Sequence, residues 1–128
     1  MAHAAPEMPK RIMALAQVAS LTSTKDPCYR FYAASQMVPL ALRLTPSTEF
    51  DFTAGNETYV LSMEDDTVKI STNNTAVSAL NKTAPLQATF ASGTVIAAGS
   101  YVEIVLTLGG TTPVVPALSV YEFEYLEG

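Results

Sequence analysis

The chain has one cysteine, one histidine and no tryptophan. Cys28 on its own excludes an intrachain disulfide framework, and it cannot build a cysteine-rich zinc site. It leaves the redox compartment open, since secreted and cytosolic proteins both exist without disulfides. His3 lies near the terminus in a proline-bordered stretch, and a general base must be held within hydrogen-bonding reach of its target. Ser/His/Asp and Cys/His catalysis are therefore not expected, and Cys28 reads as a small buried thiol with no histidine to activate it. No segment approaches the roughly 20 apolar residues of a membrane span.

Basic residues are scarce as well. Seven Lys and Arg stand against twelve Asp and Glu, a formal charge of −5, and Lys10-Arg11 is the only adjacent basic pair. Nucleic acid is captured by a basic face that displaces condensed counterions, and no such face is encoded. Charged residues make up 15% of the chain, against about 25% in an average soluble domain. Two readings fit that deficit: a surface partly covered by partners, or one made neutral by Ser, Thr, Asn and Gln.

What is present is punctuation. The length of 128 residues suits one domain. Residues 1–11, with Pro6 and Pro9, read as an extended or flexible arm, and residues 12–128 as a single domain. A signal peptide fits poorly: Gln17 and Ser20 interrupt the apolar stretch Ile12–Leu21, and two prolines and Glu7 precede it. Turn chemistry then recurs every ten or so residues. The breaks fall at Lys25-Asp26-Pro27, Thr45-Pro46-Ser47, Ala54-Gly55-Asn56, Glu64-Asp65-Asp66, Thr72-Asn73-Asn74, Ala84-Pro85, Ser92-Gly93, Ala98-Gly99-Ser100 and Gly109-Gly110. Short strands at this spacing predict an all-β sandwich or barrel.

The strands alternate with period two. In 38–44, Leu40, Leu42 and Leu44 are expected on one face, with Ala41 and Arg43 on the other. In 101–108, Val102, Ile104, Leu106 and Leu108 oppose Tyr101, Glu103, Val105 and Thr107. In 118–125, Tyr121, Phe123 and Tyr125 oppose Glu122 and Glu124. Weaker strands are expected at 29–33, 49–53, 58–62, 67–71, 87–91 and 94–96. Helix is poorly supported; its best windows, 12–21 and 75–82, are short.

Three groups of residues invite chemistry. Glu64, Asp65 and Asp66 could offer oxygen ligands to calcium, but the glycine and ligand spacing of an EF-hand loop are missing, so a solvated hairpin turn is expected. Glu103 with Glu122 or Glu124 could face each other across strands; like charges opposite each other are costly, which favours a basic partner or different registers. Tyr29, Phe31 and Tyr32, with Tyr59, Tyr101 and Tyr125 if exposed, could stack a sugar, although core packing accounts for most of these rings. Asn56-Glu57-Thr58, Asn73-Asn74-Thr75 and Asn81-Lys82-Thr83 match the glycosylation acceptor pattern, as chance allows in a chain rich in Asn and Thr. No catalytic residue, metal or cofactor is expected.

The stretch 101-YVEIVLTLGGTTPVVPALSVYEFEY-125 joins two long strands through a crossing that contains Pro113 and Pro116. Proline cannot donate to a ladder, so these strands need not pair, and the crossing can pass from one sheet to the other. The segment resembles the closing part of jelly-roll β-sandwich modules in tailed-bacteriophage virions. The whole design is similar to phage head decoration (cement) proteins: small, acidic, all-β, with an N-terminal arm and no catalytic set. The resemblance implies an antiparallel two-sheet jelly-roll-like sandwich. It also implies a homotrimer on the capsid exterior that binds between major capsid subunits and stabilises the head. The arm is then the element that reaches a neighbour, with Pro6, Met8, Pro9 and Ile12 as contacts chosen by position. A carbohydrate-binding β-sandwich module, from a phage tail tip or a secreted protein, is the alternative.

Overall fold

The computed structural model describes residues 9–48, 50–51, 58–72, 79–80, 85–110 and 113–128. Its strands are β1 (Lys10–Ala16), β2 (Lys25–Tyr32), β3 (Met37–Thr45), β4 (Phe50–Asp51), β5 (Thr58–Asp65), β6 (Val68–Lys69), β7 (Ala79–Leu80), β8 (Leu86–Ala88), β9 (Tyr101–Gly109) and β10 (Val120–Glu127). One antiparallel sheet runs β1-β10-β3-β8 and a second runs β2-β9-β5-β6, with β4 and β7 paired apart from both. The all-β expectation holds, and among the described residues no helix forms.

The connectivity is that of a jelly roll. Set the β4–β7 pair aside and count the remaining strands along the chain. The first sheet then reads 1-8-3-6 and the second 2-7-4-5, the order made by two interlocked Greek keys. Every connection changes sheet except the tight β5–β6 turn. There Asp66 (φ 47°) and Thr67 (φ 73°) both sit in the left-handed region, as a two-residue type I′ hairpin requires. The crossing after β9 does leave one sheet for the other, and Gly110, at φ 96°, turns the chain out of the strand. The breaks at Ala54-Gly55-Asn56 and Asn73-Asn74, and the crossing residues Thr111 and Thr112, lie outside the described residues. The window 75–82 is described only at Ala79–Leu80, as strand.

Alternation positions the core. Val102, Ile104, Leu106 and Leu108 of β9 face Tyr121, Phe123 and Tyr125 of β10 across the sandwich, and all are buried. Leu42 and Leu44 of β3 and Tyr59, Leu61 and Met63 of β5 join them. Phe123 stacks on Tyr125 at 5.0 Å and meets Phe31 and Phe90; full burial of such a ring contributes about 1.5–3 kcal/mol. β10 is thus central in both senses, carrying the aromatic core and a ladder on each side.

Four details depart from the sequence expectation. Leu40 is exposed, because β3 carries a bulge: Glu124 pairs with Ala41 and Tyr125 with Pro39, leaving Leu40 as the extra residue. Proline in an inner strand is accommodated at such bulges, and the extra residue resets the parity between Pro39 and Leu42. Lys25-Asp26-Pro27 is not a break but the start of β2. Between Lys25 and Tyr29 that strand advances four residues while β9 advances two, and the Asp26–Pro27 peptide is cis. The last strand begins at Val120 rather than residue 118, since Leu118 turns through φ 67°. The run 94–96 supplies only a single bridge, Ile96 to Met37.

Candidate interaction surfaces

β1 and β2 are both edge strands, one from each sheet, and they meet on the same side of the sandwich. The connection between them closes over a cleft of about 300 Å³ lined by Gln17, Val18, Ala19, Leu21, Lys25, Cys28, Tyr29 and Tyr121. Gln17 organises it. Only 6% exposed, it donates through Nε2 to the carbonyls of Ala19 (2.8 Å), Val115 (3.2 Å) and Pro116 (3.3 Å). Its Oε1 accepts from the Tyr121 hydroxyl at 2.8 Å. A buried amide with every polar atom engaged fixes the connection to the crossing that precedes β10.

The same hydroxyl lies 3.6 Å from Cys28 Sγ. Burial pushes the Cys28 thiol up, against the opposing hydrogen bond from Tyr121 and the Lys25 charge, so at neutral pH it stays a protonated, weak nucleophile. Burial also drives the Tyr121 hydroxyl well above the usual tyrosine range. Tyr29 packs edge-on against Tyr121 at 5.4 Å and donates its hydroxyl to the Ala16 carbonyl, the last residue of β1. Among the described residues no histidine or carboxylate lines the cleft. Lys25 is the charged residue of its lining, and its charge acts on the Cys28 thiol.

The outer face of the second sheet carries charge. Asp26, Glu64 and Glu103 converge there, with ligand oxygens within 4.8 Å of one another. Glu64 and Glu103 are direct cross-strand partners, and Arg30 pairs Glu103 from the other side. Burial, then Asp26 and Glu103, raise the Glu64 carboxyl above its usual range, with Lys69 opposing. The acidic run seen in the sequence is therefore divided. Glu64 points outward, Asp65 falls on the opposite parity with its Oδ1 buried and unpartnered, and Asp66 sits at the turn, where its Oδ1 accepts from the Tyr101 backbone N–H at 3.0 Å. Glu103 does not meet Glu122 or Glu124, which lie in the other sheet.

Of the rings considered for sugar stacking, Tyr59 and Tyr125 are buried, and Tyr29 and Phe31 pack half-buried on the core. Tyr32 and Tyr101 remain, 55% and 47% exposed. They are cross-strand neighbours with ring centroids 5.3 Å apart and planes tilted by 60°. The Arg30 guanidinium carbon lies 4.5 Å from the Tyr101 ring centre, within cation–π range.

On the outer face of the first sheet Glu124 is held by Lys10 of β1 and by Arg43 of β3 at 3.1 Å. These hydrogen bonds, Lys10 first, hold its carboxyl below the usual range. The basic partner expected for this row of acids is therefore present.

Of the contact residues chosen from the sequence, Pro6 and Met8 lie outside the described residues, as does His3. Pro9 is exposed, and its carbonyl accepts from the Glu127 N–H at 2.9 Å. Ile12 is in β1, 60% exposed. Lys10 and Arg11, assigned to the arm, are the first residues of that strand. The asparagines of the three glycosylation patterns are outside the described residues. No protein-family model, curated protein or solved structure matches this chain.

Proposed function

We propose that this chain is a non-enzymatic structural protein of a tailed-phage virion, a decoration module that binds between major capsid subunits and stabilises the head. The observation that carries the reading is the strand order, since jelly rolls of two Greek keys are the recurrent module of viral shells. That warrant is an analogy of fold, and the site chemistry is consistent with it. The cleft is a packed amide–hydroxyl network whose described lining has no histidine or carboxylate, and Glu64, Glu103 and Glu124 lie on the outer sheet faces. A binding role would add contact area that must be lost before the shell opens. In this reading the segment before β1, with Pro6, Met8 and Pro9, makes the contact together with Ile12 of β1.

The test is co-sedimentation of the purified protein with shells assembled without it, followed by heating the shells. Binding that raises the shell's opening temperature supports the reading; no sedimentation with mature shells rejects it. Because Lys10 and Arg11 belong to β1, the truncation that probes the arm should stop before Pro9. Loss of sedimentation in that variant places the contact in the arm.

A second reading, binding of a carbohydrate, rests on the exposed Tyr32–Tyr101 pair beside Arg30. Stacking a sugar on one of these rings would leave polar groups near its hydroxyls. A glycan screen with the double substitution Tyr32→Ala/Tyr101→Ala tests it, and hits that survive the substitution would dismiss this surface.

A further inference from the structure

An edge strand exposes unpaired N–H and C=O groups, and proteins blunt such edges by shortening, proline, bulges or charge. Three of the four sandwich edges here are blunted. β6 has two residues and β8 has three. β2 carries Pro27 and a slipped register. β1 is different: seven residues, no proline, no bulge, and no charge from Ile12 to Ala16.

Its hydrogen-bonding parity follows from its flanks. The Glu127 N–H donates to the Pro9 carbonyl, and the Gln17 N–H donates to the Ser119 carbonyl. In an antiparallel ladder such pairs alternate, so the odd residues of β1 bond to β10 and the even ones point away. The Ala16 carbonyl points away as this requires, since it takes the hydroxyl of Tyr29 in the other sheet. Among the described residues, the N–H and C=O groups of Ile12 and Ala14 have no partner.

We propose that β1 pairs antiparallel with β1 of a second copy of this chain, about a twofold axis at Met13, joining the two first sheets into one continuous sheet. The edge is its own complement in that register. Ile12 of each copy stands opposite Ala14 of the other, large against small, and the two residues exchange reciprocal N–H to C=O bonds. The charges select the same arrangement. A parallel pairing would set Lys10 against Lys10 and Arg11 against Arg11. The antiparallel one puts the two Lys10 residues about 20 Å apart and the two Arg11 residues about 13 Å apart, beyond a Debye length at physiological salt, and opposite the uncharged Ala16 and Leu15. Ile12 and Val18, exposed by 60% and 88%, flank the edge and lose water on pairing, as do the half-buried Met13 and Leu15. The contact is isologous and closes on two copies. The homotrimer implied by the phage resemblance would need another surface. The inference does not depend on the capsid reading, because its test contains no shell.

The experiment is light scattering on a sizing column with the full chain, its Ala14→Pro variant and its Ile12→Lys variant. Proline at 14 removes only an N–H that faces away from β10, so the native fold stays; lysine at the exposed position 12 adds charge beside Lys10 and Arg11 on both copies. A wild-type mass twice the 13.6 kDa of one chain, halved in both variants while circular dichroism is unchanged, is expected. A wild-type monomer or trimer, or a dimer that survives either substitution with native circular dichroism, overturns the proposal. Should one variant unfold, the other decides.

Discussion

β1 and β2 begin as equals: two edge strands of similar length, from different sheets, side by side over one cleft. They end differently. β2 carries Pro27 and a slipped ladder between Lys25 and Tyr29, and it sends Asp26 out towards Glu64 and Glu103. β1 keeps an unbroken register from Lys10 to Ala16 against β10. The difference shows that edge protection is written residue by residue rather than conferred by the fold, since the jelly roll leaves both strands equally unpaired. The smooth edge is also the one proposed to pair with a second copy.

The largest expected effect comes from moving the proline of β2 into the ladder of β1. Met13→Pro removes an N–H that bonds to Phe123, strands that carbonyl and empties a half-buried side chain, at a cost of about 2–4 kcal/mol. Ala14→Pro, one residue along, should cost under about 1 kcal/mol, because its N–H faces away from the sheet. Urea unfolding of the two variants measures the gap; equal losses would mean that the parity assigned to β1 is wrong.

Gln17→Leu comes next. It sits where β1 hands over to β2, and leucine would leave the Tyr121 hydroxyl without its Gln17 acceptor and the Val115 and Pro116 carbonyls without its amide donor. Groups left unsatisfied at this depth cost about 1–3 kcal/mol. The loss should appear in thermal unfolding together with faster alkylation of Cys28, since the thiol shares the same hydroxyl. A variant as stable as wild type with an unreactive Cys28 would show that the network is redundant. Tyr29→Phe is milder. It removes only the hydroxyl that spans from β2 to the Ala16 carbonyl, for about 0.5–1.5 kcal/mol, and hydrogen exchange at the C-terminal end of β1 should quicken more than elsewhere.

How much of this was legible in the sequence depends on which physical cause acts. Burial of Ile104, Phe123 and their neighbours was readable because alternation reports a face as long as the register is unbroken. Leu40 was not, because its bulge is set by how β3 pairs with β10, which β3 alone does not record. The split of Glu64 from Asp65 follows from the same period of two once β5 is known to run as far as Asp65. Gln17 looked only like a polar interruption of an apolar stretch; its role comes from carbonyls nearly a hundred residues away. An edge is a fact of topology, so β1 gave no local sign of being one. What its sequence did show was the lack, from Ile12 to Ala16, of any residue that would protect it.

The smallest effects separate the two edges by pH. Glu124 ties β1 to β10 and β3, and its folded carboxyl is held below the ordinary value of 4.5. The folded state therefore binds that proton less tightly than the unfolded chain. The stabilisation is complete above 4.5 and is lost as pH falls through the lowered folded value. Glu64 is raised instead, first by burial and then by Asp26 of β2 and Glu103. Its penalty is absent below 4.5, grows as pH rises towards the raised value and persists above it. Glu124→Gln should thus lower the melting temperature at neutral pH and Glu64→Gln should raise it. Both differences should vanish in acid well below 4.5, and added salt should shrink that of Glu124 more than that of Glu64, whose first cause is burial. Shifts of the same sign would show that one of the two carboxylates does not feel the neighbours the structure gives it. Opposite signs would mark β1 as the edge held by attraction and β2 as the edge set against its own charges.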